Sequence, residues 1–110
     1  MSRRMSSAEA AAPLFAALAD PTRLALLERL ADGAPRPIVA LAAGSALTRQ
    51  AVTKHLAVLR GAGLVARRPA GRETLYALRP ERLAEARAWL DEIGAQWADA
   101  LARLKAHLEG

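Results

Sequence analysis

Large apolar side chains recur three or four residues apart in most of the chain, which is the spacing of helices with one buried face. Leu14, Phe15 and Leu18 mark a first helix over residues 8–19, and Leu24, Leu27 and Leu30 a second that opens at Asp20-Pro21-Thr22 and ends at Asp32-Gly33. Asp accepts orphan backbone N–H bonds and Pro tolerates the first helical position, so this start is well signalled. Ala34-Pro35-Arg36-Pro37 reads as a loop, because two prolines forbid helix continuation. Ile38 and Leu41 mark a short helix over 38–43, closed by Gly44-Ser45, and Val52, Leu56 and Leu59 define one face of a helix from Thr48 to Arg60, stopped by Gly61-Ala62-Gly63. Two helices joined by a glycine-containing turn make a helix-turn-helix candidate. Alternation replaces the helical period only over 64–69 and 73–78, around Ala70-Gly71-Arg72, where a β-hairpin with Tyr76 and Leu78 on one face is expected.

The last helix is the longest. From Pro80 to Glu109, Leu83, Ala86, Leu90, Ile93, Trp97, Leu101, Leu104 and Leu108 follow one another at three or four residues. At 100° per residue they stay within a stripe of roughly 80°, running along about 40 Å of helix. One small domain does not need so long and narrow a seam for its own core. Gly94 lies beside it, where glycine costs roughly 1 kcal/mol relative to alanine unless close packing recovers it, as the approach of a partner helix would. Trp89 falls off the stripe, at a position suited either to packing or to lining a groove beside the seam.

With 110 residues the chain makes one mainly α domain with a small β-hairpin, residues 8–110, preceded by a loose tail over 1–7. It has no cysteine, which excludes disulfides, thiolate metal sites and thiol redox chemistry and fits a cytoplasmic location. No stretch reaches the roughly 18 apolar residues of a membrane span. Charge then changes the picture. The net +5 is concentrated mid-chain: residues 33–72 hold Arg36, Arg49, Lys54, Arg60, Arg67, Arg68 and Arg72 and not one Asp or Glu, whereas 80–109 holds six acids against four bases. A one-sign stretch of this length implies a polyanionic partner, nucleic acid above all, and a groove-reading helix within it would make that partner double-stranded DNA.

The helix from Thr48 places chemistry on the side away from Val52. Gln50, Lys54 and Ala57 oppose the buried face, flanked by Thr53, Arg49 and Arg60. Gln bonds bidentately to adenine, Arg to guanine, and Thr contacts a thymine methyl or a phosphate. His55 sits at the boundary of the buried face, suited to anchoring the helix or touching one phosphate. Arg67 and Arg68 are adjacent on a strand and so point to opposite faces, which leaves at most one well aimed at DNA. Arg72, beside Gly71 at the hairpin tip, is free to reach a phosphate or the minor groove.

These residues carry a resemblance. The Ala19-Asp20-Pro21-Thr22-Arg23 segment, the run from Leu47 through Val52-Thr53-Lys54-His55-Leu56, Leu59, Gly63-Leu64-Val65, and Gly71-Arg72 with Tyr76-Ala77-Leu78 resemble the ArsR/SmtB family of bacterial winged-helix repressors. The likeness runs from about residue 16 to the end. It implies a winged helix-turn-helix homodimer, paired through the first and last helices, that represses transcription at an inverted-repeat operator. Leu14, Leu83, Leu90, Ile93, Gly94, Trp97, Leu101, Leu104 and Leu108 would then supply the dimer interface. Many members sense metals through Cys-x-Cys before the recognition helix, or through Asp-x-His with a later His-x-x-His or His-x-x-Glu. This chain has no cysteine and only His55 and His107, so the ligands of both sites are missing and a metal-independent regulator with no cofactor is expected.

Two other functions fit less of the sequence. A winged-helix module that docks a protein would need the Gln50 and Lys54 face to be covered or dispensable. An enzyme would need a nucleophile, a phosphate-binding glycine loop or a metal-ligand cluster, and none is legible. Operator, regulated genes and effector are not written in the residues.

Overall fold

A computed structural model describes residues 6–110. The expected loose tail lies outside these except for Ser6 and Ser7, which begin the described chain: Ser6 Oγ accepts from Glu9 N at 3.1 Å and caps α1, Ser7–Leu18. Asp20 likewise caps α2, Pro21–Leu30, its Oδ2 accepting from Arg23 N at 3.0 Å with Pro21 in the first turn. The α2 stripe differs from the spacing-based expectation. Leu26, Leu27 and Leu30 are buried and Leu24 is 45% exposed. Packed against α1, against the recognition helix and against the sheet, α2 buries a different arc from the one that three evenly spaced leucines suggest.

The segment read as a proline loop contains a strand. β1, Arg36–Pro37, joins the hairpin strands β2, Val65–Ala70, and β3, Glu73–Leu78, in an antiparallel sheet of order β1-β3-β2. Arg36 pairs with Tyr76 and Pro37 with Leu75. Proline is tolerated there because β1 is an edge strand, where a missing N–H need not interrupt a ladder. The expected hairpin is present, with Ala70 opposite Glu73 and Gly71 at φ +64° in the turn, a conformation that side-chain-bearing residues rarely adopt.

Between β1 and β2 stand α3, Ile38–Ala42, and α4, Arg49–Gly61. Thr48 caps α4 through Oγ1, 3.1 Å from Ala51 N. Leu14, Leu30, Leu41, Val52, Leu56, Leu59, Leu64 and Val65 fill the centre of the domain, with Tyr76 closing it from the sheet.

α5, Pro80–Glu109, leaves this core after three turns. Leu83 is half-buried and Ala86 buried, but Leu90 is 53%, Trp97 68% and Leu108 76% exposed, with Ile93, Leu101 and Leu104 also open. The domain measures 68 × 42 × 21 Å and its radius of gyration is 18.6 Å, against about 13 Å for a compact chain of 100 residues. Two of the expected interface positions differ from the rest. Leu14 is 1% exposed and Leu83 packs against the core, so this chain's own interior occupies them before any partner arrives. Trp89 packs on α1, its ring 5.4 Å from that of Phe15 and tilted by 60°, and at the same time lines an open groove between α1 and α5 with Ala11, Ala88 and Glu92. Among the described residues no single helix is long and apolar enough to cross a membrane.

Leu56 is fully buried and central. Leu56→Ala is expected to destabilise the domain by about 2–5 kcal/mol in urea unfolding, because the cavity it leaves is walled by other leucines.

Candidate nucleic-acid interface

Burial of Val52, Leu56 and Leu59 fixes the rotation of α4 and leaves Arg49, Gln50, Thr53, Lys54 and Ala57 exposed. Arg49, Gln50, Thr53 and Lys54 line one open depression on the free side of the helix. Two of the candidate hydroxyls also serve the helix itself. Thr48 Oγ1 accepts the capping bond, and Thr53 Oγ1 donates to Arg49 O at 2.8 Å. While that internal bond holds, Thr53 offers a ligand only its methyl and an oxygen lone pair.

The wing and the recognition helix meet across a second groove, of about 390 Å³, lined by Arg49 from α4, Arg72, Glu73 and Thr74 from the wing, and Pro37, Ile38 and Val39 from β1 and α3. Arg49 and Arg72, 23 residues apart in sequence, thus face one space. Arg67 pairs with Tyr76 and shares its face of the sheet, while Arg68 pairs with Leu75 on the other. Both are exposed. Arg60 is half-buried in the last turn of α4, more than two turns from Gln50, where a cation complements the helix dipole.

His55 is removed from this open face. Its side chain is 24% exposed, with Nδ1 3.4 Å from Arg23 Nη1 and 3.8 Å from Asp20 Oδ2. Arg23 in turn donates through Nε to Ala17 O at 2.6 Å and through Nη2 to Ala16 O at 3.3 Å, closing the C-terminus of α1. Asp20, Arg23 and His55 together tie the α1–α2 corner to the middle of α4. His55 thus contacts the α1–α2 corner, whereas Gln50 and Lys54 line the open depression on the free side of α4.

Arg36, one of the seven bases of the acid-free stretch, is also engaged elsewhere. It pairs with Asp32 at 2.6 Å and donates through Nε to Arg29 O at 2.9 Å. Two carboxyls are held below their ordinary value. Asp20 is lowered chiefly by the hydrogen bond from Arg23 N, with the charges of His55 and Arg23 adding to it. Asp32 is lowered chiefly by the bond from Ala34 N, and then by Arg36. Sequence reasoning identified Asp20 as a cap but missed its ties to His55, since a contact between residues 35 apart leaves no mark in local spacing. β1, which sets one wall of the wing groove, was missed because the two prolines around Arg36 signal only the end of a helix, and two residues are too few to show alternation.

A model of the helix-turn-helix domain matches residues 18–68. The chain is 47% identical over 85 residues to the HTH-type transcriptional regulator Rv2034 of Mycobacterium tuberculosis, covering 77% of this chain and 76% of that one. It is 49% identical over 77 residues to the HTH-type transcriptional regulator CmtR of the same organism, covering 70% of this chain and 64% of the relative. Among solved structures, an ArsR-like transcriptional regulator from Rhodococcus sp. RHA1 superposes with a TM-score of 0.75 at 38% identity, over 87% of this chain and 90% of that one. An ArsR family transcriptional regulator superposes with the same TM-score at 32% identity, over 89% and 97%.

A depressed carboxyl binds fewer protons in the folded chain than in the unfolded one, so Asp20 stabilises the fold above the ordinary value of 3.8 and ceases to do so as pH falls through its lowered folded value. Thermal melts from pH 6 to 2.5 should therefore show a shallower acid decline for Asp20→Asn, which keeps a capping oxygen but cannot titrate, than for the unaltered chain.

Proposed function

The chain belongs to the ArsR family of winged helix-turn-helix transcriptional regulators, and from that membership we propose that it is a cytoplasmic homodimeric repressor binding an inverted-repeat operator. The observation that carries the reading is the convergence of Arg49, Gln50 and Lys54 on the free side of α4 with Arg72 across the wing groove, on the one part of the chain that has no acid before Glu73. Gln50, Lys54 and Arg49 read base edges in the major groove, with Thr48 and Thr53 at its margin. Arg72 enters the flanking minor groove or holds a phosphate. Arg67, Arg68 and Arg60 add positive potential around this centre, and His55 acts indirectly by holding α4 in place.

The second copy follows from α5. Leu90, Ile93, Trp97, Leu101, Leu104 and Leu108 form an apolar face that one chain leaves in water, which costs on the order of 25 cal/mol per Å² until it is covered. Two copies paired along this face, with Gly94 at the closest approach, present two α4 helices to successive major grooves about 34–36 Å apart. The effector is not specified by these residues, and the regulated genes are those beside the operator.

Fluorescence anisotropy with duplexes from the chain's own upstream region tests the reading. Affinity should fall by orders of magnitude between about 50 and 200 mM salt if roughly 6–10 phosphates are engaged. Arg72→Ala and Lys54→Ala should each weaken binding, and a phosphate-contacting residue should lower the salt slope by about 2 per dimer. Absent or salt-insensitive binding would defeat the reading, and no effect of either substitution would favour a winged-helix module that docks a protein instead.

Sedimentation tests the pairing. A Cβ on Gly94 meets nothing within 4 Å in a single chain, so Gly94→Leu leaves the fold undisturbed. The variant should keep or gain helicity by up to about 1 kcal/mol while losing dimer, and an unchanged dimer would place the interface elsewhere.

A further inference from the structure

The last turn of α4 ends in a left-handed glycine stop. Gly63 has φ +76°, Gly63 N donates to Arg60 O and Leu64 N to Leu59 O, both at 2.9 Å. These paired bonds satisfy Arg60 O and Leu59 O but do not reach Ala62 O. That carbonyl is taken by a residue of another element: Arg82 Nε, in the first turn of α5, lies 3.3 Å from it. The stem of Arg82 crosses directly over Gly63, where an added Cβ would stand 3.1 Å from Cγ and 3.2 Å from Nε. Gly63 thus answers two demands, a backbone angle and the passage of this side chain. The other end of the guanidinium is pinned by Glu85 Oε2, 2.6 Å from Nη1.

Among the described residues Arg82 links α5 to the end of α4 by a side-chain hydrogen bond, reinforced by the backbone bond from Arg79 N to Leu64 O at 2.8 Å. α4 and α5 otherwise touch little, since α5 packs chiefly on α1. We infer that Arg82 is a positioning residue that holds the recognition helix at a fixed distance from the helix through which two copies pair, and so determines the half-site separation that the dimer accepts. The inference rests on the dimeric DNA-binding reading above. Its physical basis is leverage: α5 sets where the two-fold axis lies, α4 meets the groove, and a bond at the junction of the two governs their relative position. A cation on a C-terminal carbonyl is also favoured by the helix dipole, which helps to keep the junction closed.

The test uses the full chain and a set of duplexes carrying the operator with its two half-sites separated by the native spacer, one base pair more and one base pair less, together with a single half-site. Arg82→Met retains the stem over Gly63 and removes the donors and the charge. Arg82→Lys retains a donor and the charge. The unaltered chain should lose roughly tenfold in affinity on either spacer change, because one base pair shifts and rotates a half-site out of register. Arg82→Met should keep its dimer by sedimentation and its half-site affinity, while its spacer penalty drops to about threefold or less, and Arg82→Lys should restore part of the penalty. Should Arg82→Met prove unstable, Glu85→Gln, which releases the far end of the guanidinium on an exposed helix surface, should show the same loss in smaller degree. A full penalty in the folded Arg82→Met dimer, or equal weakening on all duplexes including the half-site, would overturn the inference while leaving the DNA-binding reading intact. Absence of any spacer penalty in the unaltered chain would overturn the dimeric operator reading and this inference with it.

Discussion

Everything the protein presents to a groove depends on how α4 is seated in the leucine core. Val52, Leu56 and Leu59 are buried to within a percent, and a helix held by three such side chains over two turns has no rotational freedom left. The positions opposite them face water by geometry alone, and they are Gln50, Lys54 and Ala57. No separate device is needed to expose the reading face. The core does it, which is why Leu14, Leu30 and Leu41 from three other helices matter as much to recognition as any arginine.

Polar ties then fix the helix along its axis. Thr48 closes its first turn, Asp20 and Arg23 meet His55 at its middle, and Arg82 takes the carbonyl of Ala62 beyond its end. Each of these bonds is modest by itself, of the order of about 1 kcal/mol net. Their value lies in direction, since burial resists rotation and tilting but is less particular about sliding. The Asp20 to Arg23 segment is informative here. One carboxylate caps α2 and approaches His55, one guanidinium closes α1 and approaches the same imidazole, so three helices are joined through a few atoms.

α5 shows the opposite balance. Its first three turns are part of the domain through Leu83, Ala86 and Trp89, and the rest extends away with its apolar stripe uncovered. The acidic residues interleaved along it keep the remaining faces polar. A separation of labour results: the basic middle of the chain carries the exposed cations of the proposed DNA interface, and the amphipathic end of the chain supplies the surface on which a second copy fits the proposed dimer.

Much of this was legible in the residues. Helix starts at Asp20-Pro21 and Thr48, the glycine stops, the hairpin around Gly71 and the exposed side of α4 all follow from interactions within a few positions of one another, where spacing and side-chain chemistry are sufficient. The acid-free stretch likewise marked out the segment that carries Arg49, Lys54 and Arg72, all of which the fold leaves exposed. Tertiary structure decided what depends on partners distant in sequence. It placed Leu26 instead of Leu24 in the core, because α2 is covered from several sides at once, and it enclosed Leu14 within this chain. Pairing with β3 made a strand of Arg36–Pro37 against local propensity, and Asp32 and the carbonyl of Arg29 engaged Arg36. It also set His55 on Asp20 and Arg23, and Arg82 on Ala62 and Gly63. Periodicity reports the face a residue occupies on its own element, whereas only the packing of elements determines what that face meets.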